Sequence, residues 1–157
     1  MIQRLAMIGD GAMATVSSIL LAGKGYQVTM WSYFEQHVQE LVTEQENRRF
    51  LPGVRIPPQV RVTGNDDAPF RGADLIVSAV PCQFMRHVWA RLKPHAPPAM
   101  PIVSVAKGIE NDTLLRPTQI ITDVLGPGRS VAALSGPSIA AELARCLPAT
   151  VVARAWP

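Results

Sequence analysis

Leu5-Ala6-Met7-Ile8-Gly9-Asp10-Gly11-Ala12-Met13-Ala14 is a short apolar run that breaks into a glycine-rich turn and continues as an amphipathic stretch through residue 22. In a nucleotide-binding strand–turn–helix unit, the first glycine permits the tight bend and the second lets the backbone approach a pyrophosphate. The third position is kept small for helix–strand packing. Gly9, Gly11 and Ala14 fill these places. The helix that follows offers free N–H groups and a partial positive charge to phosphates. A G-x-G-x-x-A pattern alone is a weak signal, because ligand-free turns also produce it. Here a strand precedes it, a helix follows, and a second strand begins at Val28, which together point to dinucleotide binding. Asp10 fits this poorly: a carboxylate about 5 Å from a pyrophosphate repels it by roughly 1–3 kcal/mol, so Asp10 is expected to point to solvent.

Outward from that turn, short apolar runs alternate with amphipathic stretches. Residues 5–8, 28–31, 60–63, 75–80, 102–105, 131–134 and 150–153 read as strands, several apolar throughout, as buried parallel strands are. Residues 12–22, 35–44, 82–92, 117–125 and 138–145 read as helices. Strand–helix alternation predicts an α/β domain with right-handed crossovers and helices on both faces of the sheet. The whole chain, 1–157, is expected to be one such domain. Ser32-Tyr33-Phe34-Glu35 fits a capping box, Gly23 and Gly25 suit the end of the first helix, and Ser138 is placed to cap the last. The long connection 45–59, with Pro52-Gly53 and Pro57-Pro58, is expected to be a loop of the kind that carries function.

Composition narrows the classes. Of 157 residues, 48% are hydrophobic and 17% charged, enough apolar material for a packed core and too little charge for disorder. The net charge is only +3, and only Arg48 and Arg49 are adjacent basic residues, so nucleic acid is not an expected partner. Two cysteines, Cys82 and Cys146, make no disulfide framework or metal spacing, which predicts a reduced, cytoplasmic protein. Three isolated histidines (His37, His87 and His95) predict no metal site. No apolar run approaches the roughly 18–20 residues that span a bilayer, and no signal region opens the chain.

An NAD-preferring site usually carries an acid about 20 residues after the first glycine, at the end of the second strand. Here that window reads Thr29-Met30-Trp31-Ser32-Tyr33, and Glu35 is assigned to the capping box. No arginine occupies it either, which leaves NAD or NADP open as the cofactor. Lys107, just after the 102–105 strand, stands where the carboxyl ends of parallel strands form a ligand crevice. It can bind an anion or polarise a carbonyl, and a solvated loop lysine is the competing reading. Ser135-Gly136-Pro137-Ser138 follows another strand and reads equally as an anion site or a plain capped turn. Cys82 has no base beside it, so it is not expected to be a nucleophile. His87 is expected to be a surface or packing residue, and the arginines are expected to be mostly solvated.

Together these segments resemble the N-terminal half of the bacterial-type NAD(P)-dependent glycerol-3-phosphate dehydrogenases, over nearly the whole chain and in the family's order. Gly9–Ala14 stands at the glycine-rich turn. Asn47-Arg48-Arg49-Phe50-Leu51-Pro52-Gly53 is similar to N-x-x-Y-L-P-G, and Val80-Pro81-Cys82-Gln83 to V-P-S-Q. Lys107-Gly108-Ile109-Glu110 matches K-G-I-E, and residues 134–142 match L-S-G-P-S-x-A-x-E. The resemblance implies a Rossmann-like, doubly wound, mostly parallel sheet in a three-layer α/β/α sandwich. It implies NAD(P)-dependent interconversion of dihydroxyacetone phosphate and sn-glycerol 3-phosphate, which supplies the phospholipid backbone. By the resemblance, Gly9, Gly11, Ala12, Met13, Tyr33, Lys107 and Ala140 contact the cofactor, and Lys107, Gly136 and Ser138 contact the phosphorylated substrate. Asp10, Ala12, Ala14 and Tyr33 depart from the residues usual in the family.

In that family the catalytic base is a lysine on a helical C-terminal domain, for which these 157 residues hold no counterpart. The expectation is a chain that binds a dinucleotide and turns over little, with no catalytic residue of its own. Apolar surface left open predicts weak self-association or a helical partner domain. A stand-alone NAD(P)-binding or redox-sensing module, acting with a partner chain, is the alternative.

Overall fold

A computed structural model describes residues 1–156. Nine strands and five helices follow in order: β1 (Arg4–Ile8), α1 (Ala12–Gly23), β2 (Gln27–Trp31), α2 (Glu35–Glu44), β3 (Glu46–Asn47), β4 (Leu51–Arg55), β5 (Val60–Thr63), β6 (Leu75–Ser78), α3 (Cys82–Leu92), β7 (Ile102–Ser104), α4 (Pro117–Leu125), β8 (Val131–Ser135), α5 (Ala140–Ala144) and β9 (Val152–Trp156). The main sheet has seven strands in the order β5-β2-β1-β6-β7-β8-β9. All neighbours are parallel except β9, which runs antiparallel on β8.

The pleat explains why the central strands read as unbroken apolar runs. Leu5 and Met7 on β1 face one core with Val28, Met30 and Val77, packed under α1 and α2 by Ala14 and Leu41. Ala6 and Ile8 face a second core with Trp31, Ile76 and Ile102, closed by Met85, Trp89 and Leu92 of α3 and Ile120 and Ile121 of α4. Both faces are covered, so polar alternation is absent.

From β1 the chain winds one way through β2 to β5, and from β6 the other way through β7 to β8. The order therefore reverses between β1 and β6, and in open α/β sheets the ligand crevice lies at that reversal, outside the carboxyl ends of the strands.

Several local expectations are corrected. The 45–59 connection is not a plain loop: β3 and β4 form a small antiparallel hairpin. Ser32 does not cap α2, whose N-cap is Phe34 without a side-chain bond; the Ser32 hydroxyl donates instead to Asp10, 2.5 Å away. Ser138 does not cap α5, because Ile139 is still extended and is itself the N-cap. That helix is correspondingly short, with no buried residue. β6 ends at Ser78, before Pro81, since the sheet edge is left as the chain turns toward α3. Gly25, at φ +89°, ends α1 as expected; its N–H donates to the Ala22 carbonyl at 2.9 Å.

Among the described residues no helix is long and apolar enough to cross a membrane. Nor do three or more His, Cys, Asp or Glu gather as a metal site among them.

Candidate functional site

The turn after β1 is shaped by two glycines with different duties. Gly9 adopts φ +114°, and a Cβ built there would sit 3.0 Å from the Ala79 carbonyl oxygen and 3.3 Å from the Val80 nitrogen. Its N–H donates to the Trp31 carbonyl at 3.0 Å. Gly9 is therefore pressed between the ends of β2 and β6. Gly11, the N-cap of α1, has ordinary extended angles (φ −71°, ψ −179°) and no side chain to cap the helix. A Cβ there meets nothing within 4 Å. That open space, facing the uncapped first turn of a 12-residue helix, is what a pyrophosphate needs.

Two cavities meet at this turn. One, of about 240 Å³, is lined by Gly11, Ala12, Met13, Val80, Pro81 and Lys107. The other, of about 390 Å³, is lined by Gly9, Asp10, Tyr33, Phe50, Phe84 and His87, among others. Apolar walls with a few placed polar groups suit an adenosine in the larger one.

Tyr33 is held from several sides. Its hydroxyl is 2.8 Å from His87 Nε2, and the Arg91 guanidinium lies 4.7 Å over its ring. Arg91 is itself fixed by a two-pronged bond to Asp66, both contacts at 2.8 Å, which holds the guanidinium in its charged form. His87 is exposed and lines the larger cavity, while Arg91 is not simply solvated but packs against the Tyr33 ring.

Lys107 is exposed on the loop after β7, and its Nζ donates to the Ser138 carbonyl at 3.1 Å. The structure therefore joins two candidate substrate residues that are 31 positions apart. Gly136 and Ala140 flank Ser138. Gly136 stands at φ +151°, against Thr150 and Val151 on the approach to β9, so close packing already requires it. Gly136, Ser138 and Ala140 do not line the two cavities.

The loop carrying Lys107 is clamped by α3. Gln83 Nε2 donates to the Ile109 carbonyl at 2.8 Å and Gln83 Oε1 accepts from the Asn111 N–H at 3.0 Å. Arg86 donates to Glu110 through Nε and Nη2, at 3.0 and 2.9 Å. Its Nη1 donates to Asp123 at 2.6 Å. The Thr113 hydroxyl also donates to Glu110. The V-P-C-Q and K-G-I-E segments thus bind each other. Beneath them Cys82 is buried, and burial, with the Glu110 charge, pushes its thiol up. This is the opposite of what a nucleophile needs.

The Arg86 guanidinium and then the Thr113 hydroxyl hold the Glu110 carboxyl below the usual carboxylate range. A lowered carboxyl stabilises the fold above the ordinary Glu value of about 4.3, and that contribution is lost as pH falls through the folded value. Glu110→Gln is therefore expected to lower the melting temperature at pH 7 and to lose less of it between pH 4.5 and 3. Melting curves across that range check this, and parallel losses in parent and variant would refute it. Some acid slope remains in both, since Asp67 and Asp74 are lowered as well.

Residues without a role in the sequence reading complete the site. Asp10 does not point to solvent. Its Oδ2 accepts from the Ser32 hydroxyl and from His37 Nδ1, at 2.5 and 2.6 Å. Asn47, fully buried, donates to the Asp10 carbonyl and to Thr15 Oγ1, both at 2.7 Å, and accepts from the Phe50 N–H at 3.2 Å. The hairpin thereby holds the glycine-rich turn. The N-x-x-Y-L-P-G likeness was the available signal for Asn47. For Asp10 with His37 no local pattern existed.

Comparison with known proteins agrees. Residues 4–156 match the family model described as NAD-dependent glycerol-3-phosphate dehydrogenase N-terminus. A glycerol-3-phosphate dehydrogenase (NAD(P)+) of Anaeromyxobacter sp. strain K is 41% identical over 156 residues, which are 98% of this chain and 47% of that protein. The crystal structure of glycerol-3-phosphate dehydrogenase from Coxiella burnetii superposes with a TM-score of 0.89 at 31% identity, covering 98% of this chain and 46% of that one. The Saccharomyces cerevisiae glycerol-3-phosphate dehydrogenase does so with a TM-score of 0.79 at 27% identity, covering 92% and 45%. The chain spans about half the length of the curated relatives it matches. By sequence and by fold, it belongs to the NAD-dependent glycerol-3-phosphate dehydrogenases and corresponds to their N-terminal, NAD-binding domain.

Proposed function

We propose that this chain binds NAD(H) or NADP(H) with the pyrophosphate over Gly9, Gly11, Ala12 and Met13, and the adenosine beside Tyr33. We propose further that it serves the interconversion of dihydroxyacetone phosphate and sn-glycerol 3-phosphate. The observation that carries this is the free space above Gly11 at the uncapped start of α1, with the Lys107 ammonium in the same cleft. The bound nicotinamide supplies or takes the hydride at the substrate's second carbon. Lys107 presents three N–H donors at the cleft mouth. It exchanges the Ser138 carbonyl for an anionic or carbonyl oxygen of the substrate, with Gly136, Ser138 and Ala140 carrying the neighbouring backbone. Met13, Val80 and Pro81 keep the cleft floor apolar and exclude water from the hydride's path.

Reduction of a ketone also needs a proton at the developing alkoxide. Among the described residues Lys107 is the only titratable one lining the smaller cleft, and its Nζ is taken by binding oxygen atoms there. These 157 residues on their own are therefore expected to bind without appreciable turnover, because loss of a positioned proton donor costs about 10²–10⁴-fold. Calorimetric titration of NADH and NADPH tests the binding. NADH oxidation with dihydroxyacetone phosphate at a rate near that of the full-length relatives would overturn the second part.

Lys107→Ala is expected to leave the melting temperature unchanged, since the side chain is exposed and, among the described residues, it bonds only to Ser138. The dinucleotide-loaded chain should then bind glycerol 3-phosphate at least tenfold more weakly. Unchanged binding removes Lys107 from the site.

A further inference from the structure

We infer that Asp10 reads the adenosine ribose: its Oδ1 accepts a hydrogen bond from the 2′-hydroxyl and its charge turns away a 2′-phosphate, so the chain takes NAD(H) over NADP(H). This rests on the dinucleotide reading above and specifies its substrate class.

The acid that usually bonds the ribose lies at the end of the second strand, where this chain has Trp31, Ser32 and Tyr33. The structure brings a carboxylate to that place from the preceding turn. The Ser32 hydroxyl, the first side chain beyond β2, donates to Asp10 Oδ2 at 2.5 Å. His37 Nδ1, on the first turn of α2, lies 2.6 Å from the same oxygen. A carboxylate only accepts, so the His37 proton is on Nδ1. Both bonds fall on Oδ2, and among the described residues Oδ1 accepts none. The side chain is one-fifth exposed and lines the larger cavity with Gly9, Tyr33 and Phe50. Oδ1 is thus an acceptor without a donor, in the wall where an adenosine sits.

The residue is also immobilised. Its carbonyl accepts from the buried Asn47 amide at 2.7 Å, so backbone and carboxylate are both held before any ligand arrives, the condition under which one hydrogen bond discriminates well. The opposing group is Arg49, which lines the same cavity with its guanidinium 5.0 Å over the Phe50 ring. Arg49 is exposed, so its charge is screened by solvent, whereas Asp10 is held by Ser32, His37 and Asn47. His37 is already spent on Oδ2. The held carboxylate outweighs the solvent-screened cation.

Titration of ADP-ribose, 2′-deoxy-ADP-ribose and 2′-phospho-ADP-ribose into this chain tests the inference without a substitution. ADP-ribose is expected to bind at least fivefold more tightly than either analogue. A smaller difference for either one, or tighter binding of the phosphorylated analogue, overturns it while leaving the dinucleotide reading intact. Failure of all three, and of NADH and NADPH, overturns both. Asp10→Asn, which keeps shape and removes charge, is expected to reduce discrimination against the 2′-phosphate at least fivefold. If that variant does not fold, the ligand series alone decides. Arg49→Ala should leave the discrimination within twofold, and a larger change makes Arg49 the determinant instead.

Discussion

Gly9→Ala is expected to unfold this protein at a markedly lower temperature, whereas Gly11→Ala leaves the fold nearly untouched and removes dinucleotide binding. At Gly9 the backbone is left-handed, and the added carbon meets the Ala79 carbonyl oxygen at 3.0 Å. That neighbour is main chain, part of the connection from β6 to α3, and cannot rotate away. Left-handed strain of about 1–2 kcal/mol adds to overpacking of about 1–3 kcal/mol. At about 2–4 °C per kcal/mol for a domain of this size, the melting temperature should fall by about 4–20 °C.

Gly11 has angles that any residue adopts and open space around its Cβ position. Its alanine variant loses about 1 kcal/mol of N-cap preference at most. Its methyl group, however, occupies the place proposed for the pyrophosphate, so affinity for NADH should fall at least tenfold. Thermal melts and calorimetric titrations of the two variants check this together. Equal destabilisation of both, or unchanged NADH affinity in Gly11→Ala, would show that the glycines do not divide the work in this way.

The second large effect is expected at Asn47. Asn47→Ala strips the Asp10 carbonyl and Thr15 Oγ1 of a donor and the Phe50 N–H of an acceptor, in a place closed to solvent. Leaving buried polar groups unpaired costs about 1–3 kcal/mol each. The contributions are not additive here, because Thr15 keeps its bond to the Gly11 carbonyl and Phe50 N–H keeps one to the Asn47 carbonyl. A total of about 2–4 kcal/mol is expected, with a tenfold or greater loss of NADH affinity as the turn loosens. Asn47→Asp sharpens the test. A carboxylate can accept from Phe50 but cannot donate to the two oxygens, so it should be no better than alanine. An aspartate variant with the parent's melting temperature would mean that the amide donates to neither.

The parts of the site divide by how local their causes are. Helices α2, α3 and α4 begin and end where amphipathic periodicity places them, because burial against a sheet imposes that period on the sequence itself. The same holds for the glycine-rich turn and for Lys107 at a strand end. β3 and β4 escaped notice because a two-residue strand paired with one containing Pro52 and Gly53 shows no alternation. Ser32 and Ser138 stand near helix starts without capping them, for a different reason. A hydroxyl near a helix start can serve a local amide or a distant partner, and for Ser32 the distant partner is Asp10; Ser138 lies one residue before the true N-cap, Ile139, which is still extended.

Sequence alone therefore determined the α/β architecture, the place of the glycine-rich turn and the family, since each is written in periodicity, glycine position or a run of ordered motifs. Only the tertiary structure decided that Asp10, Ser32 and His37 form one unit, that Asn47 braces the turn from a hairpin 37 residues away, and that α3 clamps the Lys107 loop through Gln83 and Arg86. Hydrogen bonds between remote segments depend on where the sheet brings their backbones. No local pattern records that distance.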